Sequence, residues 1–188
     1  MFLPPEEIKL LESYLSQPLL GISFLDFQDQ QFEKQLFDQK PFYGMSAGCA
    51  LKFDTGMMCV GWQEDELGDP DRVIAFDALL LNPDKLAQHP VTKEEPWKQF
   101  INQKLVSFTV LTYTSHFEQH GKEGDYQVPW GIEFIFTSGS LLAASLSVED
   151  PLHKGTQREI IVSGDKDFIT VEKERLAEFY GFYKEMKL

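Results

Sequence analysis

Apolar residues alternate with polar or small residues along several stretches of this chain, a pattern typical of half-buried β-strands. The strongest examples are LLGISFLDF at 19–27, ALKFDTGMMCV at 50–60, KLVSFTVLTY at 104–113 and EFIFTSGSLLA at 133–143. In the second and fourth examples a short polar run with glycine divides two apolar arms, which predicts a β-hairpin in each. After each hairpin another strand is predicted, RVIAFDALLL at 72–81 and REIIVSG at 158–164.

Helix-like segments flank these predicted strands. They are PPEEIKLLESYL at 4–15, PDKLAQH at 83–89, EEPWKQFIN at 94–102 and EKERLAEFYGFYKEM at 172–186. The predicted fold class is therefore α+β, a mostly antiparallel sheet with helices at the start, the middle and the end of the chain.

The order helix, strand, hairpin, strand, helix occurs twice. The Phe-x-x-Gly sequence at 53–56 recurs at 136–139, 83 residues later. We therefore predict an internal duplication, with residues 1–90 as the first repeat and residues 91–188 as the second. The alternative is coincidence, because strand and hairpin patterns are common in α+β proteins. Short repeats often bury their apolar faces against each other, so we expect one compact unit.

The turn of the first hairpin sets its predicted register. We place residues 54–56 in a three-residue loop with Gly56 in the left-handed conformation, so that Phe53 lies opposite Met57 and Leu51 opposite Cys59. This register places on one apolar face, predicted to be core, Cys49, Leu51, Phe53, Met57 and Cys59, and in the second hairpin Ile132, Phe134, Phe136 and Leu142. Both cysteines are interpreted as buried apolar residues with reduced thiols.

The Asp54-Thr55-Gly56 triplet resembles the catalytic loop of aspartic proteases, which are duplicated and use one aspartate from each half. In the second half the corresponding triplet is Thr137-Ser138-Gly139, so the second aspartate is replaced by Thr137. A lone carboxylate cannot supply both the acid and the base of that mechanism. We therefore interpret both triplets as hairpin turns and predict no catalytic residue.

The chain is acidic, with 17 Lys and Arg against 30 Asp and Glu and a formal net charge of −13. A field of this sign repels nucleic acid and anionic membranes and favours a cationic partner, although it also keeps a protein soluble. The start of the chain, MFLPPEEIKLLE, lacks the pattern of a secretory signal, and no apolar run is long enough to span a bilayer. We expect a cytoplasmic protein.

The densest charge lies in WQEDELGDPDR at 62–72. The predicted partner-binding residues are Glu64, Asp65, Glu66, Asp69 and Asp71, with Trp62 beside them and Trp130 as a possible second aromatic anchor. Three interpretations of the acids stay open: a solvated loop, a protein contact or a metal site. Each tryptophan could instead cap its half of the core. We find no phosphate loop or nucleophile elbow, and we predict no cofactor and no metal.

In gross features the chain resembles small bacterial immunity proteins, which neutralise toxins. The similarity consists of the acidic charge, the helix-then-strand sequence PWKQFINQKLVSF and the Phe-x-x-Gly hairpins. It implies a non-enzymatic module that covers a basic partner surface with carboxylates. The alternatives are a hydrolase or divalent-metal enzyme that uses carboxylates, and a structural or assembly subunit. The sequence leaves the oligomeric state open.

Overall fold

The computed structural model describes residues 3–27, 33–37, 40–45, 47–63, 72–77, 86–119, 122–150, 155–164 and 183–187. Within them lie one α-helix, α1 (Pro5–Ser13), and one 3-10 helix (Trp97–Phe100). The strands are β1 (Leu19–Phe27), β2 (Glu33–Phe37), β3 (Lys40–Met45), β4 (Gly48–Phe53), β5 (Met57–Gln63), β6 (Arg72–Asp77), β7 (Leu86–Pro90), β8 (Leu105–Gln119), β9 (Lys122–Phe136), β10 (Gly139–Asp150), β11 (Gly155–Ser163) and β12 (Tyr183–Lys187).

The strands form two antiparallel sheets. The first sheet has the order β6-β5-β4-β1-β7, and the second has the order β12-β8-β9-β10-β11-β3-β2. All the ladders between described strands are antiparallel. The prediction of a mostly antiparallel protein is confirmed, whereas helix is less frequent in the described residues than the sequence predicted.

The two sheets share one strand arrangement. In the first, β1, β4, β5 and β6 lie side by side, and β7 pairs with the free side of β1. In the second, β8, β9, β10 and β11 lie side by side in the same way, and β12 pairs with the free side of β8. The β2–β3 hairpin lies between β1 and β4 in sequence but pairs with β11. A hairpin from residues 1–90 thus extends the sheet built by residues 91–188.

The segment before β1 crosses the segment before β8, and their backbones exchange hydrogen bonds. The amide of Leu19 donates to the carbonyl of Gln103 at 2.9 Å. Reciprocally, the amide of Leu105 donates to the carbonyl of Gln17 at 3.0 Å. Because corresponding residues of the two halves contact each other, this crossing is pseudo-symmetric.

Backbone irregularities also recur at corresponding places. Ser16 and Asn102, each three residues before its strand, have φ values of 66° and 64°. Each strand then begins with a bulge that leaves out Leu20 or Val106, and these are the two large apolar side chains that are exposed among the described residues, at 36% and 56%. A bulge at the same place bends both strands in the same way.

The main core takes side chains from both sheets, from α1 and from the 3-10 helix. The largest fully buried side chains include Trp97, Phe24, Phe53 and Phe100. Aromatic contacts at the end of each hairpin correspond: Tyr14 packs on Phe53 with ring centroids 4.7 Å apart, and Phe100 packs on Phe136 at 5.6 Å. The apolar face of each predicted hairpin is therefore the surface that the other sheet covers.

Both predicted hairpins are confirmed, but the predicted register is wrong by one residue. The amide of Phe53 donates to the carbonyl of Gly56 at 2.8 Å, so the turn has two residues rather than three. Leu51 consequently pairs with Met58 instead of Cys59, and Met58 lies in the main core. Cys59 is buried on the opposite face of the sheet, in a small separate cluster. A slip of one residue exchanges the faces of a strand.

The second hairpin has the same two-residue turn, since Phe136 pairs with Gly139. As a result Leu141 joins the main core in place of Leu142, although Leu142 is also buried. Gly139 has a φ of 147°, whereas the φ of Gly56 lies outside the left-handed region, contrary to prediction.

The predicted helices are the weakest part of the sequence analysis. The helix at 4–15 is confirmed as α1, and the segment 94–102 contains only the short 3-10 helix. The helix predicted at 83–89 is wrong for Leu86–Pro90, which is strand β7, because backbone pairing with β1 outweighs the helix propensity of this segment. Of the helix predicted at 172–186, residues 172–182 lie outside the described residues, and Tyr183–Lys187 forms β12.

Truncating either hairpin phenylalanine should be equally damaging. We expect Phe53→Ala and Phe136→Ala each to lower the free energy of unfolding by about 3–5 kcal/mol, since each ring is buried against an aromatic partner. Val106→Ala, at an exposed position, should change it by about 0.5 kcal/mol or less. Urea unfolding measures all three, and a loss below about 1 kcal/mol at either phenylalanine would contradict the equivalence of the two hairpins.

Candidate functional site

The strands of the first sheet run between two ends. At one end lies the β4–β5 turn, which we call the turn end. At the other, β5 ends at Gln63 and β6 begins at Arg72; we call this the acidic end, and residues 64–71 between the two strands the acidic segment. The predicted partner-binding residues Glu64, Asp65, Glu66, Asp69 and Asp71 belong to the acidic segment and lie outside the described residues.

Trp62 lies at the root of the acidic segment. It is next to last in β5, pairs with Val73 of β6 and packs half-buried against the main core. Both interpretations of this residue stay open, because the side chain packs against the core and is also partly exposed.

Trp130 is buried. Leu111 pairs with Gly131 and Thr112 with Pro129, so Trp130 is the extra residue of a bulge in β9, and the residue is only 2% exposed. A partner could not touch this ring without opening the sheet. Burial therefore corrects the predicted partner contact at Trp130 and favours its interpretation as a core residue.

A carboxylate and an imidazole meet on the core-facing side of the acidic end. Asp26 of β1 and His89 of β7 place Oδ2 and Nε2 3.6 Å apart, and their side chains are 3% and 38% exposed. In the second sheet Thr112, at the position that corresponds to Asp26, donates to Gln127 of β9 at 3.1 Å, and Gln127 donates to Thr114 at 2.7 Å. The second sheet thus has a neutral, hydrogen-bonded side chain at this position, and its partner lies on β9 rather than on the strand that corresponds to β7.

The two thiols near the acidic end are buried and unreactive. Cys49 and Cys59 are both buried and free. Burial, and secondarily the neighbouring Cys59, raises the pKa of the Cys49 thiol far above its ordinary value. A protonated buried thiol is a poor nucleophile, so these residues act as apolar packing.

A close approach of β4 and β5 fixes the geometry of the acidic end. Gly48 has a φ of 141°, and a Cβ added there would lie 2.1 Å from the carbonyl oxygen of Val60. Only glycine fits this position. Gly48 pairs with Gly61, the residue directly before Trp62, so this close contact lies two residues before the end of β5.

At the turn end, each hairpin turn is tied to the crossing segments by a glutamine. The hydroxyl of Thr55 donates to Oε1 of Gln17 at 2.9 Å, and that of Thr137 donates to Oε1 of Gln103. The triplets compared with aspartic proteases therefore occupy corresponding turns. Asp54 is exposed in its turn, and the residue at the corresponding position is Thr137.

In the part of the chain that the structure describes, no group of three or more His, Cys, Asp or Glu residues is arranged to hold a metal ion. No helix in that part of the chain is long and apolar enough to cross a membrane.

Comparison of the chain with protein-family models, with curated proteins and with solved structures gave no match.

The structure adds residues that the sequence analysis missed. Asp26 is the one charged residue within the apolar strand LLGISFLDF, a signal that could have identified it. Gln17 and Gln103 each stand two residues before a leucine that begins a strand, in the matching sequences QPLL and QKLV. His89 gave no such signal, because its segment was interpreted as a helix.

Asp54→Asn should be nearly silent. Asp54 is exposed, and the corresponding turn has no second carboxylate with which it could form a catalytic dyad. We therefore expect the free energy of unfolding to change by about 0.5 kcal/mol or less. Thr55→Val, which removes the hydroxyl bonded to Gln17, should cost about 1 kcal/mol. Urea unfolding of both variants provides the check; a larger loss for Asp54→Asn than for Thr55→Val would show that the carboxylate has a role.

His89→Ala should destabilise the acidic end by about 1–3 kcal/mol, because it removes a polar neighbour from a buried carboxylate. Gln88→Ala, at the exposed adjacent position, is the matched control and should change stability little. A double-mutant cycle with Asp26→Asn should give a coupling energy of at least about 0.5 kcal/mol. Additive effects would mean that the two side chains do not interact.

Proposed function

We propose that this chain is a non-enzymatic, acidic protein-binding module that uses the acidic segment to cover a basic surface of a partner protein. The observation that carries the proposal is the placement of five carboxylates within residues 64–71, the connection between two adjacent strands whose ends the sheet holds. Five like charges on so short a connection repel one another, and an arriving cationic surface would relieve that repulsion.

Two features of the acidic end support this role. Trp62 offers a partly exposed aromatic ring directly before the acids, and aromatic side chains beside charged groups are common anchors in protein interfaces. Residues 147–154, which correspond by sequence offset to the acidic segment, have the sequence SVEDPLHK with two carboxylates, Glu149 and Asp150, against five in the acidic segment. The acids are therefore more concentrated in the first half. Trp130 is left out of the proposed surface because it is buried.

We further propose that the two halves arose by internal duplication, with residues 1–90 and 91–188 as the repeats. The shared strand arrangement, the reciprocal crossing of the segments before β1 and β8, and the matching bulges support it. Coincidental strand patterns would not be expected to place positive φ values at corresponding residues as well. A duplicated scaffold lets one copy acquire a binding connection while the other keeps its packing role.

A cytoplasmic inhibitor or immunity-type role belongs to the same proposal. Proteins of this kind gain association rate from long-range attraction and specificity from a small buried contact. The net charge of −13 and the acids at 64–71 would provide the long-range attraction, and Trp62 is a candidate for the small buried contact.

The test is capture of a basic protein by the tagged full-length chain, followed by measurement of the dissociation constant with the purified partner. One variant replaces the acids at 64, 65, 66, 69 and 71 by Asn or Gln. The matched control replaces five exposed carboxylates elsewhere, Glu6, Glu12, Asp54, Glu94 and Glu95. Each variant takes the formal net charge from −13 to −8.

We expect the acidic-segment variant to lose at least about tenfold in affinity, and the control to lose much less, because only contacts within a Debye length of the partner are strong. Binding should weaken as salt is raised. Equal losses of affinity in the two variants would mean that only the net charge matters, and the acidic segment would be rejected as the binding surface.

A further inference from the structure

Strand β6 is fastened on its outer side by a side chain. Its inner side pairs with β5, where Ala75 lies opposite Val60. The amide of Ala75 donates instead to Oε2 of Glu7 in α1, at 3.0 Å, and Glu7 is only 9% exposed. A buried carboxylate that accepts a backbone hydrogen bond makes a charge-assisted contact, which is stronger than a neutral one.

The corresponding strand of the second sheet is fastened differently. Val162 of β11 lies opposite Ala143, as Ala75 lies opposite Val60 in the first sheet. On its outer side Val162 pairs with Tyr43 of β3, within a ladder that runs from 160 to 162. Where the second sheet adds another strand, the first sheet therefore uses one carboxylate.

Among the described residues, no strand pairs with the outer side of β6 in the way that β3 pairs with β11. Strand β9 lies against β6, but no backbone ladder joins them. Beyond its ladder with β5, β6 also packs against α1 and β9, and Glu7 of α1 provides a polar contact on its outer side.

We propose that the hydrogen bond between Glu7 and Ala75 is a latch that holds β6 on the first sheet, and that its release lets β6 open locally without unfolding the rest of the protein. An edge fastened by one side chain opens more readily than an edge covered by a strand, because fewer bonds break together. β6 begins directly after the acidic segment, so the latch also fixes one root of that segment. If the proposed function holds, the latch sets how rigidly the binding carboxylates are presented.

The test is amide hydrogen exchange of the full-length protein, followed residue by residue by NMR. In the unmodified protein, amides of β6 (72–77) should exchange faster than those of residues 160–162 in β11. Glu7→Ala should speed exchange in β6 by about tenfold or more, the usual size for loss of a hydrogen bond to a charged group, while β11 stays unchanged. Glu7→Gln, which retains a carbonyl acceptor, should speed it by less.

Glu6→Ala is the matched control, because Glu6 shares the first turn of α1 with Glu7 but is exposed. Both changes remove one acidic group near the helix N-terminus, so a difference between them isolates the contact with Ala75. Unchanged β6 exchange in Glu7→Ala, or an equal rise in β6 and β11, would overturn the proposal. If Glu7→Ala does not fold, the comparison of β6 with β11 in the unmodified protein and the Glu7→Gln variant decides it. None of these outcomes depends on partner binding.

Discussion

The structure depends on the antiparallel crossing of the segments before β1 and β8. Its reciprocal bonds between Leu19 and Gln103 and between Leu105 and Gln17 join the two sheets at a point where buried amides need partners. The side chains of the same two glutamines hold the hairpin turns through Thr55 and Thr137. The backbones of these two glutamines thus help to join the sheets, and their side chains hold the hairpin turns. The aromatic contacts of Phe53 and Phe136 lie beside these turns.

Each sheet ends in strands that would otherwise attract further strands, and the chain limits this in several ways. Strands β2, β7 and β12 are five residues each, β7 ends in Pro90, and β12 has the charged sequence YKEMK. On β6 the buried carboxylate of Glu7 takes an outward amide. These features protect the edges of both sheets against the addition of further strands.

The sequence was sufficient for the parts of the fold with strict local periodicity. Alternating apolar residues identified β1 and both hairpins, because burial of one face requires that pattern. It was insufficient where long-range pairing decided the outcome: the helix-like Leu86–Pro90 became a strand beside β1, and the one-residue error at Asp54-Thr55-Gly56 moved Cys59 to the other face. Of the candidate site, Trp62 and the acids were noted from the sequence, and Asp26 carried a local signal as the one charged residue of its apolar strand. The contact of Glu7 with Ala75 depends on a tertiary neighbour that no local pattern reveals.

Comparison of the halves separates residues that the scaffold needs from residues that it merely tolerates. The glutamine clamps and the Phe-x-x-Gly turns occur in both halves, so they are explained by the fold. Asp26 with His89, Glu7 and the acidic segment belong to the first half. Among the described residues of the second half, Thr112 at the position of Asp26 is part of a neutral network, and β3 pairs with β11 at the level where Glu7 contacts β6. Burying or concentrating charge is costly unless something compensates for it. The buried polar contacts of Asp26 and Glu7 are therefore not accounted for by the strand arrangement that the two sheets share.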